Sequence, residues 1–197
     1  MTQVRGVAGQ GWSRRTGNGP GTRRFTFLAG LIGAGIIGAA AALETGNARA
    51  EEIARLTLDD TAALGTQVSI DTEIKAEGTG SVRVVAGWPT VVNVVILDNP
   101  GVENATVVYE AQVRAQDLEG AAYLEMWCEF SDGAQYFSRG LDSAISGTSD
   151  WQTLRTVFYL REGQRPDKFY LNLTVEGRGT VWIDDVRLST EPLPQPE

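Results

Sequence analysis

The sequence contains no histidine and only one cysteine, Cys128, among its 197 residues. The lack of histidine excludes Ser-His-Asp and Cys-His catalysis, histidine general bases and histidine metal sites. A single cysteine also excludes any disulfide within the chain. Any catalytic chemistry would therefore have to use carboxylates, tyrosines or arginines.

Positive charge is scarce as well, and it is unevenly distributed along the chain. Residues 51–197 carry 11 Lys and Arg against 24 Asp and Glu, a formal charge of −13. Nucleic acids are bound mainly through Lys and Arg clusters that contact phosphates. We therefore expect no nucleic-acid partner.

The first 50 residues have the composition of a targeting segment. Residues 1–24 contain five arginines and no acidic residue, and residues 25–43 form an uncharged run of 19 residues. Ala48 and Ala50 then provide the small-x-small pattern of a signal-peptidase site. We predict that residues 1–50 are a signal peptide cleaved after Ala50. The alternative is a retained N-terminal membrane anchor, in which residues 25–43 cross the bilayer as a helix.

Residues 22–28, Thr-Arg-Arg-Phe-Thr-Phe-Leu, resemble a twin-arginine export signal, with Thr26 where that signal usually has Phe. The resemblance implies export to the periplasm or the extracellular space. With a cleaved or a retained leader, we expect the rest of the chain to lie outside the cytoplasm.

The sequence after Gly65 predicts β-strands, because apolar and polar residues alternate in short runs separated by Gly-, Asp- and Pro-containing turns. The predicted strands span 67–75, 81–86, 91–97, 106–114, 121–130, 135–139, 152–160, 168–176 and 180–188. Nine short strands at this spacing are typical of an all-β sandwich. We predict an antiparallel jelly-roll sandwich over residues 51–189. Residues 190–197, which include three prolines, are predicted to be a disordered tail.

Alternation with a period of two also assigns the two faces of each strand. The residues predicted to point into the core are Val107, Tyr109, Ala111, Val113, Leu124, Met126, Cys128, Phe130, Phe169, Leu171, Leu173 and Val175. Cys128 is therefore expected to be a buried, unreactive thiol. Tyr123 and Trp127 are predicted to lie on the opposite, outward face.

Several segments resemble jelly-roll carbohydrate-binding modules, the galactose-binding-like sandwiches found beside xylanases and cellulases. They are residues 80–84, 108–114, 124–127, 148–154 and, most specifically, the closing Gly-Thr-Val-Trp-Ile-Asp-Asp-Val-Arg-Leu at 179–188. The resemblance implies a non-catalytic binding module. It also implies a structural Ca²⁺ between the first and last strands, with Asp59 or Asp60 and Asp184 or Asp185 as candidate oxygen ligands; the alternative is that these are solvent-exposed turn and edge acids. We expect no other cofactor.

Sugar sites on sandwiches combine flat aromatic rings, which stack on pyranoses, with planar polar side chains, which bind hydroxyls. If strands 106–114 and 121–129 form a hairpin, their outward faces carry both aromatic rings and planar polar side chains. Tyr123 and Trp127 are the predicted aromatic platform. The predicted hydrogen-bonding residues are Gln112, Arg114, Glu125 and Asn172.

Two other functions are compatible with the same sequence. Tyr123 and Trp127 are equally consistent with aromatic residues that only cover the sheet, as in a structural or protein-interaction domain of the cell envelope. The same hairpin register would place Glu110 opposite Glu125 at about 5 Å, the carboxylate spacing of a retaining glycosidase. A jelly-roll glycoside hydrolase is therefore the third hypothesis.

Overall fold

A computed structural model of the protein describes residues 50–58 and 68–195, and the described part is all β apart from one short 3₁₀ turn at Leu141–Ser143. The strands are β1 (Glu51–Leu56), β2 (Val68–Asp71), β3 (Ser81–Ala86), β4 (Thr90–Asp98), β5 (Ala105–Glu129), β6 (Gln135–Arg139), β7 (Ile145–Leu160) and β8 (Lys168–Glu191). All strand pairs are antiparallel. No helix among these residues is long and apolar enough to span a membrane. The predicted leader helix and Asp59 lie outside the described residues.

In two cases, a pair of predicted strands is one long strand in the structure. Residues 106–114 and 121–129 both belong to β5, and residues 168–176 and 180–188 both belong to β8. The predicted hairpin between the two halves of β5 is therefore wrong. The two halves belong to one continuous strand because β5 pairs with β8 on both sides of a short irregularity between Gln116 and Glu119.

The β5–β8 ribbon bends where two glycines face each other. Gly120 (φ 110°) pairs with Gly177 (φ 147°). Both have a positive φ, a backbone conformation that residues with a side chain rarely adopt. A Cβ on Gly120 would lie 1.8 Å from the Glu176 carbonyl oxygen, and one on Gly177 would lie 1.7 Å from that of Glu119. Only glycine allows the two backbones to approach this closely.

The bend divides the sheet into two layers. The first layer contains β1, β2, β3, β7, the first half of β5 and the second half of β8. The second layer contains β4, β6, the second half of β5 and the first half of β8. Inward residues of both layers form one hydrophobic cluster, which is the arrangement of a β-sandwich.

The predicted core is confirmed almost completely. Eleven of the twelve residues predicted to point inward are buried, and Phe130 packs against them while partly exposed. Cys128 is buried, and burial raises the pKa of its thiol, so the sulfur stays protonated and unreactive. Strand β8 continues to Glu191 and so includes the first two residues of the predicted tail.

The turn after β2 depends on an ionised carboxylate. Asp71 accepts hydrogen bonds from the backbone N–H of Ile74 (2.9 Å) and Glu73 (3.0 Å) at Oδ1, and from Trp182 Nε1 (2.9 Å) at Oδ2. The bond from Ile74, followed by that from Trp182, lowers the pKa of Asp71. This network ties the loop after β2 to the closing strand β8.

Asp71→Asn is therefore expected to destabilise the protein in a pH-dependent way. A lowered folded-state pKa contributes stability that is complete above the unfolded pKa of about 4 and is lost as the pH falls through the folded value. The difference in unfolding free energy between wild type and Asp71→Asn should thus shrink as pH falls below about 4. Urea titrations across this range measure it, with Asp142→Asn, an exposed site, as the control. A difference that does not change with pH would contradict the role assigned to Asp71.

Candidate functional site

The outer face of the second layer carries two adjacent rows of side chains that run across four strands. The strand register defines a polar row of Asn93, Asn172, Glu125 and Arg139. The same register defines an aromatic row of Ile96, Tyr170, Trp127 and Phe137. Four strands at a spacing of about 4.8 Å make each row roughly 14 Å long.

Hydrogen bonds connect the polar row around the carboxylate of Glu125. Arg139 Nε donates to Glu125 Oε2 at 2.7 Å, and Trp127 Nε1 donates to Oε1 at 2.7 Å. Asn172 Nδ2 makes a longer contact of 3.5 Å to Oε1, and Asn93 Nδ2 donates to Asn172 Oδ1 at 2.9 Å. Glu125 is only 4 % exposed, so these donors replace the water that its charge would otherwise bind.

Arg139 compensates the buried charge of Glu125. The hydrogen bond to Glu125, reinforced by its charge, raises the pKa of the Arg139 guanidinium. The guanidinium also lies over the Phe137 ring, with Cζ 4.9 Å from the ring centroid. Glu125 and Arg139 together hold Trp127 and Phe137 in place.

The aromatic row offers apolar surface to the solvent. The rings of Trp127 and Phe137 lie 4.8 Å apart with a tilt of 35°. Phe137 is 39 % exposed, and Ile96 at the other end is 51 % exposed. Tyr170 O–H donates to Glu129 Oε2 at 3.0 Å, which orients its ring within the row. This row can stack flat apolar groups side by side.

Tyr123 is not part of the exposed platform. It lies on the predicted face, but only 1 % of it is exposed. Its O–H donates to Glu176 Oε1 at 2.7 Å, and burial together with this bond raises its pKa to about 12. The neighbouring Thr174 Oγ1 is buried and has no hydrogen-bond partner within residues 50–58 and 68–195. Tyr123 therefore supports the face, and its ring is closed to a stacking ligand.

Gln112 and Arg114 belong to a different surface from Trp127. They point outward from the first half of β5, in the first layer, whereas Trp127 points outward from the second layer. Gln112 Nε2 donates to Thr153 Oγ1 at 2.9 Å, and Arg114 forms an ion pair with Asp150 at 2.9 Å. Of the six predicted binding residues, only Tyr123, Glu125, Trp127 and Asn172 therefore lie on the same face.

The carboxylate pair of the hydrolase hypothesis does not form. Glu110 pairs with Arg155 and Arg187 in the first layer, whereas Glu125 pairs with Asn172 and Arg139 in the second. Glu110 Oε1 lies 3.3 Å from Arg155 Nε. The predicted Glu110–Glu125 spacing of about 5 Å came from the incorrect hairpin register and is wrong.

Five of the eight residues in the two rows were not among the predicted site residues. They are Asn93, Ile96, Phe137, Arg139 and Tyr170. The turn signal at Ser131–Gly133 could have revealed Phe137 and Arg139, because a hairpin through it places them opposite Trp127 and Glu125. The pairing of β4 with β8 is long-range, and no local signal in the sequence indicates it.

Asp185 of the predicted calcium site is bound by arginines. Arg55 Nε lies 2.9 Å from its Oδ1, and a terminal nitrogen of Arg187 lies 2.5 Å from its Oδ2. Burial opposes ionisation of Asp185, but the two guanidinium groups lower its pKa nevertheless. Within residues 50–58 and 68–195, no three His, Cys, Asp or Glu side chains form a metal-binding group. Calcium binding through Asp59 stays a prediction.

Comparisons with known proteins identify the fold. No protein-family model matches the chain, and no curated protein matches it. The CBM22-1 xylan-binding domain of Paenibacillus barcinonensis Xyn10C aligns with 76 % of this chain and 100 % of its own, at 12 % identity and a TM-score of 0.51.

A second solved structure contains the CBM22-1 and GH10 modules of Clostridium thermocellum xylanase 10B with xylohexaose. It aligns with 75 % of this chain and 30 % of its own, at 9 % identity and a TM-score of 0.54. Structural similarity at such low sequence identity shows a shared fold and does not show a shared function. The described part of this chain therefore has the jelly-roll fold of carbohydrate-binding modules, as its sequence resemblance predicted.

Proposed function

We propose that residues 51–189 form a non-catalytic module that binds a poly- or oligosaccharide on the aromatic row. The observation that carries this proposal is a row of apolar side chains beside a hydrogen-bonded polar row, in which Ile96 and Phe137 are exposed and Tyr170 and Trp127 are half-buried. The fold is also that of modules described as xylan-binding. Fold alone does not define a ligand, so the proposal depends on the geometry of the face.

Each row has a separate task in this mechanism. The apolar faces of successive sugar rings stack on the aromatic row, whose length of about 14 Å matches two or three sugar units. Hydroxyl groups at the ring edges bind the accessible ends of the polar row, Arg139 and Asn93. Because Glu125 already fixes Arg139 and Trp127, little side-chain entropy is lost when the ligand binds.

Trp127→Ala is expected to weaken binding at least about 30-fold, since it removes the central ring of the row, a loss of roughly 2 kcal/mol or more. Affinity electrophoresis in gels containing xylan, β-glucan or laminarin measures the change as lost retardation. Trp88→Ala is the matched control, because Trp88 is 63 % exposed but lies outside both rows. Equal retardation of wild type and Trp127→Ala would contradict this site. Release of reducing sugar by the wild type would contradict the non-catalytic role.

A structural or protein-interaction domain is the second candidate function, and the edge strand β4 favours it. Within the described ranges β4 pairs with β8 alone, and its Val91 and Ile96 side chains are exposed. A free, apolar edge of this kind is a site where a partner strand can add. Wild-type protein that migrates unretarded in all three polysaccharide gels would favour this function over sugar binding.

We also propose that the domain acts outside the cytoplasm, either released after cleavage at Ala50 or held at the membrane by residues 25–43. The basic leader and its Arg23-Arg24 pair support this location. Replacement of both arginines by lysines is expected to retain the protein in the cytoplasm, which cell fractionation measures. Undiminished export of that variant would contradict the twin-arginine route.

A further inference from the structure

The face with the two rows carries more acidic than basic groups. Its carboxylates are Asp98, Glu125, Glu129 and Glu176, and its cations are Arg139 and Lys168. Both cations already form ion pairs: Arg139 with Glu125 at 2.7 Å, and Lys168 with Asp98 at 3.1 Å. Glu129 and Glu176 have no cationic partner within ion-pair distance in the part of the chain described.

Glu129 lies directly beside the aromatic row. It follows Trp127 by two residues on the same face of β5, a separation of about 7 Å. Its Oε2 accepts hydrogen bonds from Tyr170 O–H at 3.0 Å and Gln135 Nε2 at 2.7 Å. Both bonds go to one oxygen, so Oε1 accepts no hydrogen bond from the described residues.

An aromatic face next to a carboxylate without an ion-pair partner attracts a cation, and here Lys168, the cross-strand neighbour of Glu129, is itself paired with Asp98. The faces of Trp127 and Tyr170 carry the negative side of the ring quadrupole and attract ammonium groups. Glu129 adds a full negative charge at the edge of the same rings. A ligand carboxylate placed there would meet like charge from Glu129 and would find both cations of the face already paired.

We propose that this face selects glycans by charge, and that its preferred ligand contains sugars with free amino groups, of the glucosamine type. A neutral glycan of the same shape binds more weakly, and a uronate binds weakest. This inference rests on the proposed function, because it assigns the ligand class of the same aromatic row. The ammonium group of a stacked amino sugar would donate to Glu129 Oε1 while the ring lies on Trp127.

Two contributions to this selectivity differ in their dependence on salt. The charge of −13 over residues 51–197 repels polyanions at long range, and about 0.15 M salt screens that field beyond roughly 8 Å. The direct contact of an ammonium group with Glu129 and Trp127 acts within a few ångströms and is screened much less. The preference for amino sugars over neutral sugars should therefore persist at physiological salt.

Three β-1,4-linked hexamers, of glucosamine, glucose and glucuronic acid, test the proposal because they share one backbone and differ in charge. Calorimetric titration would use the full-length chain in a detergent without a sugar headgroup, at about pH 6, where the amino groups are protonated. We expect the glucosamine hexamer to bind about five- to tenfold more tightly than the glucose hexamer. The glucuronate hexamer should bind more weakly than both.

Glu129→Gln is the decisive variant, since it removes the charge but keeps an oxygen that can accept from Tyr170. In about 0.15 M salt it should reduce the ratio of glucosamine to glucose affinity to less than about half of the wild-type ratio, and the contact with Trp127 remains. Glu73→Gln is the matched control, because it changes the net charge equally but lies in the turn after β2, and it should keep the wild-type ratio.

The outcomes separate this inference from the proposed function. Equal affinities for the glucosamine and glucose hexamers, or a ratio that Glu129→Gln leaves unchanged, would overturn the charge selection and leave sugar binding intact. Tightest binding of the glucuronate hexamer would overturn it as well. Absence of binding to all three hexamers would overturn both the inference and the proposed function.

Discussion

Gly177→Ala is expected to destabilise the fold by at least about 4 kcal/mol, which is a large part of the stability of a domain of this size. The added Cβ would lie 1.7 Å from the Glu119 carbonyl oxygen, so one backbone must move. The position also has a φ of 147°, which alanine rarely adopts. The bend that brings the two layers together would open, and the shared core would lose its packing.

Two other glycines provide graded controls for this variant. Gly87→Ala meets no atom within 4 Å, and its φ lies outside the positive range, so it should be nearly neutral. Gly163→Ala also meets no atom, but its φ of 80° should cost about 1 kcal/mol. Urea unfolding midpoints rank the three variants. If Gly177→Ala is no less stable than Gly163→Ala, the close approach at the bend is not structurally required.

Arg139→Met is expected to destabilise the protein by about 2–3 kcal/mol, because it leaves the carboxylate of Glu125 almost fully buried without a cation. The methionine keeps much of the apolar stem, so lost packing contributes little. Loss of the guanidinium also releases Trp127 and Phe137 from their fixed positions. Sugar binding should therefore decrease together with stability.

A second substitution tests whether the buried charge is the cause. Glu125→Gln in the Arg139→Met background removes the uncompensated charge and should restore at least half of the lost stability. Arg178→Met is the control, because its ion pair with Glu119 is exposed and should contribute under about 1 kcal/mol. Equal losses for Arg139→Met and Arg178→Met, measured by urea unfolding, would show that burial of Glu125 does not matter.

The candidate site shows where sequence reasoning succeeded and where it failed. Trp127 was placed correctly on the outward face, because alternation around Leu124, Met126 and Cys128 determines it locally. Tyr123 occupies an outward position of the same strand, yet it is buried and its O–H donates to Glu176. Alternation identifies the side of a sheet on which a residue lies, but it cannot show what else covers that side.

The sequence by itself determined the all-β class, the inward residues of each segment and the absence of histidine-based chemistry. These properties follow from composition and from the two-residue period of a strand, which are local. Only the tertiary structure decided that β5 and β8 are continuous, that Glu110 and Glu125 lie in different layers, and that Phe137 and Tyr170 flank Trp127. Strand pairing joins residues far apart in the chain, and two facing glycines convert a predicted loop into a bend. That long-range register builds the two rows on which the proposed sugar binding depends.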